Sequence, residues 1–217
     1  MKTALSLIAV LLSLAGIQHA QSRPIIEAEY NGVTAFAVSE TNRAFPFIFK
    51  VKTEFFENGK LSSTVTDIAE RVASGKERET RITVTGGKTT TEYQLQLDFG
   101  KNFCSTDGVI WKATQYECFG PVSFYGPRSP NSVEYSVEER TVDGQKVKVY
   151  RKYTTFTPLS PGKPKDFRER LATVDSRGFF LQIVDTEGTL DPRIVRLVRT
   201  QRWEMNAKIK PIVAPVE

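Results

Sequence analysis

The chain has 217 residues, 40% of them hydrophobic and 25% charged, with 30 Lys and Arg against 25 Asp and Glu, which suits one large domain around a single core. Charges of both signs are interspersed through every segment, so the surface is solvated with a basic bias and lacks the concentrated stripe of a nucleic-acid binder. The only histidine is His19 and there are two cysteines; once the N-terminal segment is removed, Ser-His and Cys-His catalysis, His-based proton transfer and His/Cys zinc sites have no side chains to use.

The N-terminus carries Lys2, an apolar run from Ala4 to Ile17 and then the polar Gln18-His19-Ala20-Gln21. This is the pattern of a Sec-type signal peptide, the run being short for a membrane span. Cleavage is expected after Ala20, with Ser13-Leu14-Ala15 as an earlier alternative. Residues 1–20 are thus expected to leave a single β-rich domain over 21–217, with 29 Lys and Arg (30 less Lys2) against 25 Asp and Glu. No cysteine precedes Cys104, so no lipobox or lipid anchor is expected, and no second apolar stretch is long enough to cross a membrane. The expected location is periplasmic or secreted, where disulfides persist.

Between Glu29 and Arg43 the spacing of Tyr30, Val33, Phe36 and Ala37 suits one short amphipathic helix, against which Asn31-Gly32 and Thr34 count. From Phe47 the period drops to two. Phe47, Phe49, Val51, Thr53 and Phe55 share one face, Asn58-Gly59 supplies a hairpin turn, and Leu61 to Val72 returns. Ser74-Gly75-Lys76 turns again, and Arg78 to Val84 makes a third strand before Gly86-Gly87. Connections this short predict sequential antiparallel neighbours, a meander.

The clearest strand follows, with Tyr93, Leu95, Leu97 and Phe99 alternating with Gln94, Gln96 and Asp98. Gly100 interrupts it as a bulge or bend, and the chain is expected to continue through Phe103 and Cys104 to a two-residue turn at Asp107-Gly108. That turn would pair Thr106 with Val109, Ser105 with Ile110 and Cys104 with Trp111. Cys118 does not face Cys104 in this register. A Cys104–Cys118 disulfide, expected from the oxidising compartment, requires the chain to fold back after Ala113, and it adds about 3 kcal/mol in the loop-entropy model.

After Cys118 the aromatic-Gly-Pro repeats Phe119-Gly120-Pro121 and Tyr125-Gly126-Pro127 sustain neither helix nor ladder. They are read as a loop packed over the sheet end, with a ligand mouth or lid as the alternative. The meander then resumes: Val133, Tyr135 and Val137 alternate, Asp143-Gly144 turns, and Val147 to Tyr153 returns. Pro158 to Asp166 is an exposed loop, and Arg170 to Asp185 forms a further hairpin around Ser176-Arg177-Gly178, closed by Glu187-Gly188. Asp191-Pro192 suits a helix start, but the Ile, Val, Leu, Thr and Trp content beyond it favours a long strand. Arg193, Arg196, Arg199 and Arg202 then read as the wet face of a sheet, and Pro211 and Pro215 as guards of an edge.

The signal peptide, the long meander, the Gly-turned hairpins and the closing Trp203-Glu204-Met205-Asn206…Ile209-Lys210-Pro211 segment together resemble the periplasmic lipoprotein-carrier superfamily, the LolA-like fold. The resemblance implies a mainly β protein: a single antiparallel, strongly curved sheet, a half-barrel, with one or few short helices on its concave side. In that family the concave side is apolar and binds acyl chains, and several helices serve as plug and lid; here only one helix is expected.

The function expected on these grounds is non-enzymatic binding or carriage of an apolar ligand, a lipid or lipidated protein, with no cofactor and no metal. The candidate lining residues are Phe47, Phe49, Leu95, Leu97, Trp111 and Trp203. A cell-envelope protein-interaction module without a cavity is the alternative. A carboxylate-dependent enzyme would have to use a pair such as Glu138 and Glu139, which as strand neighbours face opposite sides, or Asp98 and Asp107.

Overall fold

The computed structural model describes residues 22–215 except 99–100, 117, 120–128, 143, 159 and 161. The expected signal peptide, His19, Phe99, Gly100 and the aromatic-Gly-Pro loop beyond Phe119 lie outside the described residues. A short strand β1 (Arg23–Pro24) leads into one helix, α1 (Glu27–Arg43). A first meander follows: β2 (Phe47–Glu57), β3 (Lys60–Ala73), β4 (Lys76–Thr85), β5 (Lys88–Asp98), β6 (Lys101–Ser105) and β7 (Lys112–Thr114). A second contains β8 (Pro130–Val142), β9 (Gln145–Phe156), β10 (Asp166–Val174), β11 (Phe180–Thr189) and β12 (Ile194–Met205). The fold class expected from the sequence is therefore found: mainly β, one open antiparallel sheet of twelve strands, one helix among the described residues. A sheet this wide twists and curls on itself.

Strand order departs from sequence order at one seam. The order is β1-β8-β9-β10-β11-β12-β2-β3-β4-β5-β6-β7, so β12 joins the two meanders by pairing with β2, Trp203 opposite Phe49 and Gln201 opposite Val51. The segment beyond Asp191-Pro192 is strand, as favoured. Pro211 and Pro215 do not guard an edge, because the strand they follow is central and the edges are β1 and β7. The arginines of this region are also divided between faces: Arg199 and Trp203 share a side with Phe49 and Thr53, whereas Arg202 lies opposite Lys50 on the other side.

Turn chemistry explains where the hairpins close. Asn58 and Gly59 both take positive φ (51° and 75°), as a type I′ turn demands, and Glu57 pairs with Lys60 across them. Asp107-Gly108 does not form the expected two-residue turn. Ser105 Oγ accepts the Gly108 amide, and Asp107 Oδ1 accepts the Val109 and Ile110 amides at 2.8 and 2.9 Å, so side chains satisfy the backbone and hold a wider loop. Cys104 consequently faces Lys112 and not Trp111. β5 and β6 pair antiparallel, Asp98 opposite Lys101 and Leu95 opposite Phe103, a full reversal where only a bulge or bend at Gly100 was expected. Glu187-Gly188 lies inside β11, where the register with β12 shifts, and does not close the hairpin. A Cβ on Gly188 would stand 2.1 Å from the Ile194 carbonyl oxygen.

The helix lies on one face of the sheet over the second meander. Tyr30 and Ala37 of α1 are buried against Val137, Tyr150, Ala172 and Ile183, and Thr41 Oγ1 accepts the Phe180 amide. Tyr30 packs against Tyr135 with ring centroids 5.1 Å apart, and burial drives its hydroxyl pKa up to about 12. The expected apolar stripe is thus only partly buried. Ala37 is wholly enclosed, Val33 is half-buried, and Phe36 is 54% exposed.

Candidate functional site

Pairing register carries the helix-bearing face across the whole sheet, and its character changes at the seam. On β11, β12 and β2 it is aromatic: Phe180 and Trp203 stack with centroids 5.4 Å apart, and Trp203 meets Phe49 at 4.8 Å. On β3, β4, β5 and β6 the same face carries Asp67 and Arg71, Glu77, Glu79 and Arg81, Gln94 and Gln96, and Asn102. The alternation is that of a half-wet strand, but much of the polar side faces inward.

These residues, with Phe49, Phe119 and Arg199, line a cleft of about 340 Å³. Among the described residues two cross-strand ion pairs organise it. Arg81 binds Asp67 through Nε and Nη2 at 2.6 and 3.1 Å, and Arg71 Nε lies 2.5 Å from Glu77. Glu79 makes no such bond among the described residues. Burial, together with the Asp67 and Glu77 charges and against those of Arg81 and Arg71, raises its carboxyl to about 7. Burial also lowers the Arg199 pKa, opposed by Asp185 and Asp67.

The Cys104–Cys118 disulfide lies beside this half and ties down the segment that carries Phe119. β7 ends at Thr114, the chain folds back, and the Cα atoms of the two cysteines stand 5.6 Å apart. Gln94 Oε1 accepts the Cys118 amide at 2.8 Å, which sets Phe119 against the cleft with the Arg81 guanidinium 4.8 Å from its ring centroid.

A second cleft of about 570 Å³ opens between α1 and the hairpin ends of the second meander. Its apolar lining comes from Val33 and Phe36 of α1, Val147 and Tyr150 of β9, and Val174 of β10. Gly178 forms part of the wall because Phe36 lies on it: a Cβ there would stand 2.6 Å from the phenyl ring. The rim carries Lys146, Lys148 and Arg177 with two acids. Lys148 lies 3.8 Å from Glu139 and Arg177 binds Asp175 at 2.8 Å, while Lys146 has no ion-pair partner among the described residues.

The residues expected to line a ligand site do not converge. Phe49 and Trp203 meet at the seam, and Phe47 is 1% exposed beside them. Leu95 and Leu97 alternate with Gln94 and Gln96, so they face away from the charged cleft, and Trp111 stands in the loop before β7 with its ring 6.5 Å from that of Tyr93. Of the carboxylates considered for catalysis, Asp107 is occupied by amides, chiefly that of Ile110, which hold its pKa down. The Asp98 side chain lies outside the described residues. Glu138 and Glu139 pair toward Val149 and Lys148 on opposite faces. Among the described residues no group of three His, Cys, Asp or Glu side chains is placed to hold a metal ion. Nor is any described helix long and apolar enough to cross a membrane.

No family model and no curated protein matches the chain. Solved structures to which it is similar include two that span nearly the whole of both chains. The crystal structure of LprF from Mycobacterium bovis shares 9% identity and a TM-score of 0.46, over 89% of this chain and 99% of that one. A DUF1329 family protein from Desulfovibrio piger shares 9% identity and a TM-score of 0.31, over 87% of this chain and 96% of that one. The open antiparallel sheet with a helix laid on one face is the architecture implied by the lipoprotein-carrier resemblance. The charged half of that face is not the uniformly apolar lining that the resemblance implies.

Val33 and Phe36 lie on the stripe expected for α1, but their place in a cleft wall is not directly legible in the sequence. The visible signal was Phe36, an aromatic beyond the width that Tyr30 and Ala37 require. Asp67, Arg71, Glu79 and Arg81 gave no separate signal, because alternating charges on a strand look alike whether they face solvent or a cleft.

Proposed function

We propose that this protein is a non-enzymatic binding or carrier protein of the cell envelope or extracellular space, and that it holds the apolar chain of a lipid or lipidated protein in the cleft between α1 and β9–β10. The observation that carries the reading is the cleft itself: about 570 Å³, walled by Val33, Phe36, Tyr150 and Val174, with Phe36 left half-open at its edge. That volume falls within the range of about 300–1,000 Å³ usual for small-molecule sites. Each methylene moved from water into it contributes about 0.8 kcal/mol. Lys146 on the rim favours an anionic head group.

The test is a fluorescence titration with cis-parinaric acid, alongside native mass spectrometry of the protein isolated without detergent. The expected result is saturable binding, weakened about tenfold or more by Phe36→Asp, which puts a carboxylate on the apolar wall. Phe36 is exposed enough that this variant keeps its fold. Absence of binding, or unchanged binding by the variant, refutes the reading.

A further inference from the structure

We infer that the charged cleft over β2–β6 is a second binding site, and that its ligand is a neutral polyhydroxylated molecule, a sugar ring or short saccharide. Charge balance comes first. Among the described residues Arg71, Arg81 and Arg199 face Asp67, Glu77 and Glu79, and Arg81 and Arg71 are already paired across the strands. An ion that recruits Arg71, Arg81, Asp67 or Glu77 must break one of these cross-strand pairs and leave a half-buried charge behind. A neutral ligand need not.

The remaining hydrogen-bonding capacity favours hydroxyl groups. Among the described residues neither the Glu79 carboxyl nor the Gln96 amide is hydrogen-bonded, and Asn102 Oδ1 is buried without a partner. Gln96 lies directly opposite Glu77 on one side and Asn102 on the other, so the uncommitted groups cluster on neighbouring strands. Each ligand hydroxyl both donates and accepts, and one ring therefore serves the carboxyl as donor and the amides as either partner. An acyl chain would bury the same groups with nothing to bond to.

The walls fit the rest of such a ligand. Phe49 supplies apolar surface for the C–H face of a pyranose, and Phe119, held through Cys118 and Gln94 with Arg81 over its ring, completes the wall. At about 340 Å³ the space is that of a small polar molecule. The two clefts share no lining residue, so this site is independent of the lipid reading.

The experiment is calorimetric and saturation-transfer NMR titration of the protein with methyl β-glucoside, maltose, N-acetylglucosamine and octyl β-glucoside below its micelle concentration. At least one free sugar is expected to bind in the millimolar range or tighter, with Gln96→Ala weakening it about tenfold. Melting temperature should stay unchanged, since the Gln96 amide has no hydrogen-bond partner among the described residues. Gln96→Glu, closest in shape, guards against a folding defect in the alanine variant, and it should bind differently from the wild type. Phe36→Asp should leave free-sugar binding intact. If octyl β-glucoside alone binds, and does so through Phe36 and not Gln96, the polar cleft is no sugar site and the inference falls. It falls equally if none of the four binds, or if both Gln96 variants bind like the wild type.

Discussion

Replacing Glu79 by glutamine is expected to stabilise the protein above pH 7 and to change little near pH 4.5. In the folded chain the Glu79 carboxyl titrates at about 7, against an ordinary value of 4.5, first because it is buried and then because Asp67 and Glu77 stand near it. Below pH 4.5 the folded and unfolded forms are both protonated there, and the group contributes nothing. Between pH 4.5 and 7 the folded form keeps a proton that the unfolded form has lost, so stability falls as pH rises. Above pH 7 the full cost is present. A shift of this size corresponds to at most about 3 kcal/mol, and solvent at the cleft mouth screens it to about 1–2 kcal/mol. The assay is urea unfolding of wild type and Glu79→Gln at pH 4.5, 6 and 8.5, taking the difference so that other carboxylates cancel. Any fixed gain or loss from the amide is the same at every pH; the stabilisation that grows with pH is the readout. A difference that is flat from pH 4.5 to 8.5 means that Glu79 titrates normally and that the cleft does not desolvate it.

Two further perturbations test the frame around the cleft. Converting both Cys104 and Cys118 to serine should remove about 3 kcal/mol of stability, which for a chain of this size lowers the melting temperature by roughly 6–12 °C in calorimetry; a shift within error would mean that the crosslink does not constrain the unfolded chain. Gly188→Ala should cost about 1–3 kcal/mol or more, because the new Cβ meets the Ile194 carbonyl, a backbone atom, and not a flexible side chain. Unaltered urea midpoints for that variant would show that the β11–β12 bulge relaxes freely.

Much of the sheet was legible because its signals are local. Asn58-Gly59, Ser74-Gly75 and Gly86-Gly87 mark turns through residues that accept positive φ, and the alternation of Phe47 through Phe55 fixes which side chains share a face. The reversal between Asp98 and Lys101 was hidden because the alternation of Tyr93 through Leu97 runs up to it and Phe103 falls where the same alternation would continue. Pairing of β12 with β2 is non-local and leaves no trace in either strand. The clefts were harder for a related reason. Period two says that Gln94 and Leu95 point opposite ways, but not which of the two sides a helix, a disulfide-held segment or solvent will cover.

The place of β12 has a consequence for how the protein is made. Both meanders are built from neighbours in sequence and can zip as they emerge during synthesis, yet β11 and β2 keep open flanks until Ile194–Met205 arrives. The incomplete chain is therefore two sheets with facing sticky edges, and the strand that silences both is formed after all the others. A stop codon or a protease cut before residue 194 would release a protein with most of its strands intact and an exposed seam, a form suited to pairing with its own copies.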